Sequence, residues 1–292
     1  MNEHPEVPSA RAHPGAILGV WAWQAGVALV ASWPAASLLR AAYGADPRGD
    51  AALWASEGRA LLDLLWRGSS GVTAAADGAL LVLLAGALGG LAVLGALMAV
   101  LTHPQGPRSL PRAIHGTVRA LPAFVVCGVV VGASQAAALG AAAFCGLLAE
   151  GWAHASLGEA PAEAIGVAAG LPFAALAVGL GVAHDLARAA VIARRVTGLG
   201  GLVVGFRTFR AAPLSLSWSW GWRAAASLAP VALASGLSGR LGGRGGLAVL
   251  VLAAAHQGVV LSRVALRASW LARAIGAVAA AGRRAQPAES ER

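Results

Sequence analysis

The sequence predicts an all-α fold, a polytopic transmembrane helix bundle of about six spans with interfacial amphipathic helices. Three observations carry this reading. Hydrophobic residues make up 58% of the chain and charged residues 12%, with mean hydropathy +0.68, whereas a soluble domain is about 45–50% apolar and about 25% charged. The apolar residues gather in runs of about 20 or more, the length that a hydrocarbon core about 30 Å thick requires. The strong bases are all arginine, since the chain lacks lysine, and they concentrate in alternate loops. Barrel strands are excluded, because an uninterrupted run such as 79–100 has none of the polar alternation that such strands need.

The runs place spans at residues 16–39, 78–101, 120–149, 164–184, 214–239 and 245–262. They divide the chain into a disordered cytoplasmic tail over 1–15, a six-span membrane domain over 16–282 and a second disordered cytoplasmic tail over 283–292. The first tail is rich in proline, and Glu3 and Glu6 precede any basic residue. The run that follows is longer than the 7–15 apolar residues of a secretory signal, so the first span reads as an uncleaved signal-anchor.

The loop after the first span is not featureless. Trp54, Leu61 and Leu65 repeat at helical spacing, while Arg59, Asp63 and Arg67 are placed for i, i+4 ion pairs. This predicts an amphipathic helix on the outer membrane surface. Cys127 and Cys145 share the third span about 27 Å apart, too far for a mutual disulfide. Gly86 with Gly90, Gly128 with Gly132 and Gly166 with Gly170 are small-xxx-small pairs of the kind that let membrane helices approach closely.

A second amphipathic segment follows the fourth span. Asp185 and Arg188 lie one turn apart, Arg194 and Arg195 follow, and Leu202, Phe206 and Phe209 alternate with Arg207 and Arg210. Pro213 closes the segment, and Trp218, Trp220 and Trp222 open the fifth span at headgroup depth. Arg223, close to that end, is expected to snorkel to the interface.

Arginine counts set the orientation. With the amino terminus in the cytoplasm, roughly fifteen arginines fall inside and about six outside, which favours both termini inside by the positive-inside rule. The expected location is therefore a bacterial inner membrane, multi-pass, with both ends cytoplasmic. This topology also accounts for the net charge of +9. The basic residues are dispersed and no recognition motif accompanies them, so nucleic acid is not an expected partner. Membrane lipids are, through anionic headgroups on the cytoplasmic side, and a homo-oligomer or another membrane protein stays open as a partner.

The Trp33-Pro34 exit of the first span, the amphipathic outer loop and the His184-Asp185-Leu186-Ala187-Arg188 exit of the fourth resemble a broad group of uncharacterised bacterial six-span inner-membrane proteins. That group is similar to the membrane domains attached to glycerophosphodiester phosphodiesterases. The resemblance implies a fold and a compartment rather than a reaction, and the sequence carries no soluble catalytic domain of that kind.

Candidate functional residues are few. Gln24, Gln135, Arg223, His256 and Gln257 are polar groups within spans, the default place to look for function in a membrane. Gln135, His256 and Gln257 form the candidate intramembrane polar site, with Gln135 or Gln24 the expected partner of His256. Asp185, Arg188, Arg194, Arg195, Arg207 and Arg210 form the candidate cytoplasmic contact for lipid or partner.

No catalytic residue, cofactor or metal is expected. Gly236-Leu237-Ser238-Gly239 with His256 superficially resembles a rhomboid protease pair. Yet Ser238 lies at a span end and His256 near a span centre, about 16 Å deeper, whereas nucleophile and base must approach to about 3 Å. His103, His115, His184 and Asp185 lack the close spacing of zinc sites.

Two readings follow. One is a non-enzymatic membrane component that organises lipid or partner proteins through its basic cytoplasmic face. The alternative is a small-solute permease with a polar site near the bilayer midplane, to which the similar linker lengths in the two halves of the chain would add an inverted repeat.

Overall fold

The computed structural model describes residues 9–45, 63–66, 68–102, 110–241 and 246–285. No strand occurs among these residues. After a short 3-10 turn at Ala10–Ala12, eight long α-helices follow among the described residues: α1 (Pro14–Tyr43), α2 (Ser69–Leu101), α3 (Leu110–Leu157), α4 (Glu159–Arg194), α5 (Gly198–Ala211), α6 (Pro213–Ala226), α7 (Leu228–Leu241) and α8 (Leu247–Ala285). The fold is the all-α helix bundle that the composition predicts. Most of the outer-loop helix expected over 50–67 lies outside the described residues, as do residues 1–8, 103–109 and those from 286 onward.

Five of the helices, α1, α2, α3, α4 and α8, are long and apolar enough to cross a membrane. The fifth expected span, 214–239, is instead two 14-residue helices, α6 and α7, interrupted at Ser227. Pro230 explains the break. It has no N–H to donate, and its ring crowds the carbonyl four residues back, which belongs to Ala226, the last residue of α6. Each piece is about 21 Å long, so neither alone spans about 30 Å of hydrocarbon.

The chain divides into two compact units. The first comprises Met1–His13, Gly95–Ala225 and Leu266–Arg292. Its backbone is the α3–α4 hairpin, whose helices are joined by Gly158 alone at φ 82°, a left-handed conformation that glycine adopts without steric cost. The two helices approach along a line of small residues. A Cβ on Gly166 or Gly170 would stand 3.0 Å from the carbonyl oxygen of Gly146 or Ala142 respectively, so neither position has room for a side chain.

After the αL cap at Arg195, α5 turns back along α4 and buries Gly198, Gly201, Gly205 and Thr208. A Cβ on Gly205 would meet the Ala187 amide nitrogen at 2.5 Å, and one on Gly201 the Ala187 carbonyl at 2.9 Å. Thr197 caps α5 by accepting from the Gly200 N–H at 3.3 Å. Around these helices lies the core of the unit: Met98 and Leu101 of α2, Phe124 and Cys127 of α3, Leu186 and Ala190 of α4, and Trp270, Leu271, Ala274 and Val278 of α8. These last four recur at i, i+1, i+4 and i+8, a face of the carboxyl-terminal half of α8.

The second unit comprises Pro14–Leu94 and Ala226–Ala265. Here α1 and α2 run antiparallel. Leu38, Pro34 and Val27 of α1 descend in order onto Gly71, Gly78 and Gly86 of α2, and Trp23 covers Gly89. The Trp23 indole donates to the Gly86 carbonyl at 3.4 Å. Of the three predicted glycine pairs, Gly166 with Gly170 makes a close approach at both positions and Gly86 makes one at the first. Gly128 and Gly132 have open space at theirs.

Candidate functional site

The most elaborate polar arrangement among the described residues lies in the first unit, near the end of α4. Asp185 is 2% exposed. Removing a carboxylate from water is costly unless donors replace the hydration shell, and three do. Arg267 Nη1 donates to Oδ2 at 2.6 Å and Nη2 donates to Oδ1. Trp270 Nε1 donates to Oδ2 at 2.8 Å. Arg267 and Trp270 are one turn apart on α8, so a single helical face delivers the bidentate fork and the indole together.

The same end of α4 carries more positive charge than this pairing uses. Arg188, one turn beyond Asp185, lies within electrostatic reach of Asp185 and Arg267, yet its buried Nε has no hydrogen-bond partner. Neither has the buried Nε2 of His184. One carboxylate thus faces two guanidinium groups. Arg194 has turned inward, with Nη2 donating to the Val278 carbonyl at 2.6 Å. It passes over Gly282, where a Cβ would meet the guanidinium at 2.6 Å.

Arg195, Arg207 and Arg210 point outward. Beside the last two, Leu199, Val203 and Phe206 of α5 are exposed by 65%, 50% and 55%, which leaves α5 with a glycine face on the protein and an apolar, arginine-edged face outward. Of the six residues expected to meet lipid or partner, the structure therefore turns Asp185, Arg188 and Arg194 toward other helices of the unit and leaves Arg195, Arg207 and Arg210 exposed.

Of the intramembrane polar residues, Gln135, Arg223, His256 and Gln257 each have a protein partner. Gln135 of α3, in the first unit, donates through Nε2 to the Ala177 carbonyl of α4 at 2.9 Å, where a Cβ on Gly181 would stand 3.0 Å from the same amide. In the second unit, the Gln257 Oε1 accepts from the Trp21 indole at 3.1 Å. His256 Nδ1 contacts the Leu252 carbonyl of its own helix at 2.7 Å. That oxygen can only accept, so the proton is on Nδ1. Ser238 bonds the Ala234 carbonyl at 2.9 Å, so serine and histidine are each engaged by their own helix backbone.

Arg223 is held rather than free. It stacks over Trp222 at 4.5 Å, donates from Nε to Ser269 Oγ at 3.1 Å, and donates from Nη1 to the Ser219 carbonyl at 2.6 Å and hydroxyl at 2.7 Å. Cys127, a free buried thiol, contacts the Gly198 carbonyl at 3.3 Å. Among the described residues no group of three His, Cys, Asp or Glu side chains is placed to hold a metal ion.

Sequence reasoning missed Arg267 and Trp270. Their i, i+3 spacing on one face of α8 was the available signal, and it named no partner. Five apolar helices and an all-α chain make this a membrane-embedded protein. No family model, no curated protein and no solved structure matches the chain.

Proposed function

We propose that the protein is a multi-pass component of a bacterial inner membrane, with both termini in the cytoplasm and the broken α6–α7 segment supplying the sixth crossing, that organises anionic lipid on its cytoplasmic face without catalysing a reaction. The observation that carries this is α5. It seats its glycine face on α4 and turns Leu199, Val203 and Phe206 outward next to Arg207 and Arg210, the arrangement of a helix at the boundary between acyl chains and phosphates. The arginine balance between alternate loops supports the orientation. The resemblance to six-span inner-membrane proteins accords with it.

The polar residues near the midplane support this reading over a permease. Gln135 and Gln257 each bond a residue of another helix, as expected of groups that hold helices together, and His256 is engaged by the Leu252 carbonyl of its own helix.

Spin-labelled lipids bound to the reconstituted protein test the proposal. Phosphatidylglycerol is expected to be selected over phosphatidylcholine. Each of Arg207→Gln and Arg210→Gln should lower the selectivity about fivefold, given roughly 1 kcal/mol per juxtamembrane arginine. Equal binding of the two lipids by the unaltered protein overturns the reading. So does saturable solute uptake into liposomes that is lost in His256→Leu, which would establish the permease instead.

A further inference from the structure

Among the described residues, three buried side-chain nitrogens lack a hydrogen-bond partner: those of His13, His184 and Arg188. Two of the three stand together. His184 and Arg188 are four residues apart on α4 and so share a helix face. A buried polar nitrogen without a partner is costly. Arg188 Nε can only donate, and His184 Nε2 donates in the tautomer that carries its proton there, so an acceptor with more than one oxygen would satisfy both.

Asp185 is not that acceptor. Its carboxylate takes its hydrogen bonds from Arg267 and Trp270, so Arg188 shares the charge of Asp185 with Arg267 and two guanidinium groups stand against one carboxylate. The unpartnered atom of Arg188 is Nε, half of the Nε–Nη edge that fits two oxygens of one phosphate. Depth agrees as well. Twenty residues separate Ala164, where hydropathy begins the fourth span, from His184, about 30 Å of helix. The pair therefore falls just beyond a hydrocarbon core of about 30 Å, among the headgroups.

We infer that His184 and Arg188 hold a phosphate group, supplied either by the headgroup of an anionic phospholipid or by a phosphate ester from the aqueous side. The site deepens the proposed function and rests on it for the depth and side of the membrane. It differs from the α5 surface in that it takes one phosphate rather than a population of boundary lipid.

The test is a titration of the full chain in neutral detergent, followed by native mass spectrometry. The probes are dioctanoyl phosphatidylglycerol, dioctanoyl phosphatidylcholine, sn-glycerol 1-phosphate and inorganic phosphate. The expected result is one saturable equivalent of a phosphate-bearing probe, weakened about tenfold or more by Arg188→Gln. Arg188→Lys, which keeps the charge without the planar fork, should be intermediate, and His184→Gln should weaken the same equivalent. Preference for phosphatidylglycerol identifies a lipid ligand; displacement of that lipid by glycerol phosphate or phosphate alone identifies a soluble ester.

Undiminished binding in both Arg188→Gln and His184→Gln overturns the inference, as does a wild-type chain that no probe saturates. If Arg188→Gln does not fold, His184→Gln decides the question. Variants Arg207→Gln and Arg210→Gln should leave this equivalent intact while lowering boundary-lipid selectivity, so failure of the site and failure of the lipid-organising reading are told apart.

Discussion

A carboxylate as enclosed as Asp185 depends on its partners to replace lost hydration. Arg267 supplies the compensating charge while 40% of its own side chain stays exposed, so the pair is buried on one side and wet on the other. Truncating Arg267 strands the carboxylate, and Arg267→Leu is expected to lower stability by about 3 kcal/mol. The double variant Asp185→Leu with Arg267→Leu should be less damaged than Arg267→Leu alone, because no unpaired charge remains. Thermal denaturation in detergent, run as a double-mutant cycle, measures both. Arg195 sits at φ 53°, the only non-glycine residue with positive φ among those described. A β-carbon in that region costs about 1 kcal/mol, so Arg195→Gly should raise stability by about 0.5–1 kcal/mol in the same assay. The sequence exposed Asp185 and Arg188 as charges at a helix exit. It did not expose Arg267 and Trp270, because 82 and 85 residues separate them from Asp185 and no local period links the two helices. Gln135 was legible as a polar group in need of a partner, but a backbone carbonyl filled that need, and carbonyls leave no mark in sequence.

At the scale of helices, glycine decides which faces meet. A β-carbon on Gly205 would press on the Ala187 backbone, which cannot swing aside as a side chain can, whereas one on Gly128 would find nothing within 4 Å. Gly205→Ala should therefore lift α5 from α4 and cost about 1–3 kcal/mol. Gly128→Ala should be neutral or stabilise by up to about 1 kcal/mol through helix propensity. Limited proteolysis at the α4–α5 junction, beside melting temperature, reads the difference. The two glycines look alike in sequence, each within a small-residue pattern, and differ only in what lies across from them. The break between α6 and α7 is the opposite case. Pro230 was visible all along, but hydropathy over 214–239 records apolar content and ignores a missing N–H.

For the molecule as a whole, hydropathy located the apolar helices and understated their length. The third span was expected over 120–149, yet α3 runs over Leu110–Leu157, because a run of apolar residues marks what lipid covers rather than where helical hydrogen bonding stops. The proposed topology is tested by cysteine accessibility in a Cys127→Ala, Cys145→Ala background. With both termini cytoplasmic, Glu159→Cys should react with an impermeant maleimide added to intact spheroplasts. Arg210→Cys should react only after the membrane is opened. The reverse pattern would invert the orientation and remove the proposed cytoplasmic lipid surface.

The one-residue joint at Gly158 bears on how such a chain is made. With Leu157 and Glu159 already helical on either side, there is no tether to thread across the bilayer between the two arms. A joint this short favours entry of the two arms together as a closed pin, and lengthening it with a flexible insert should uncouple that entry. Biogenesis, more than the finished bundle, would register the change.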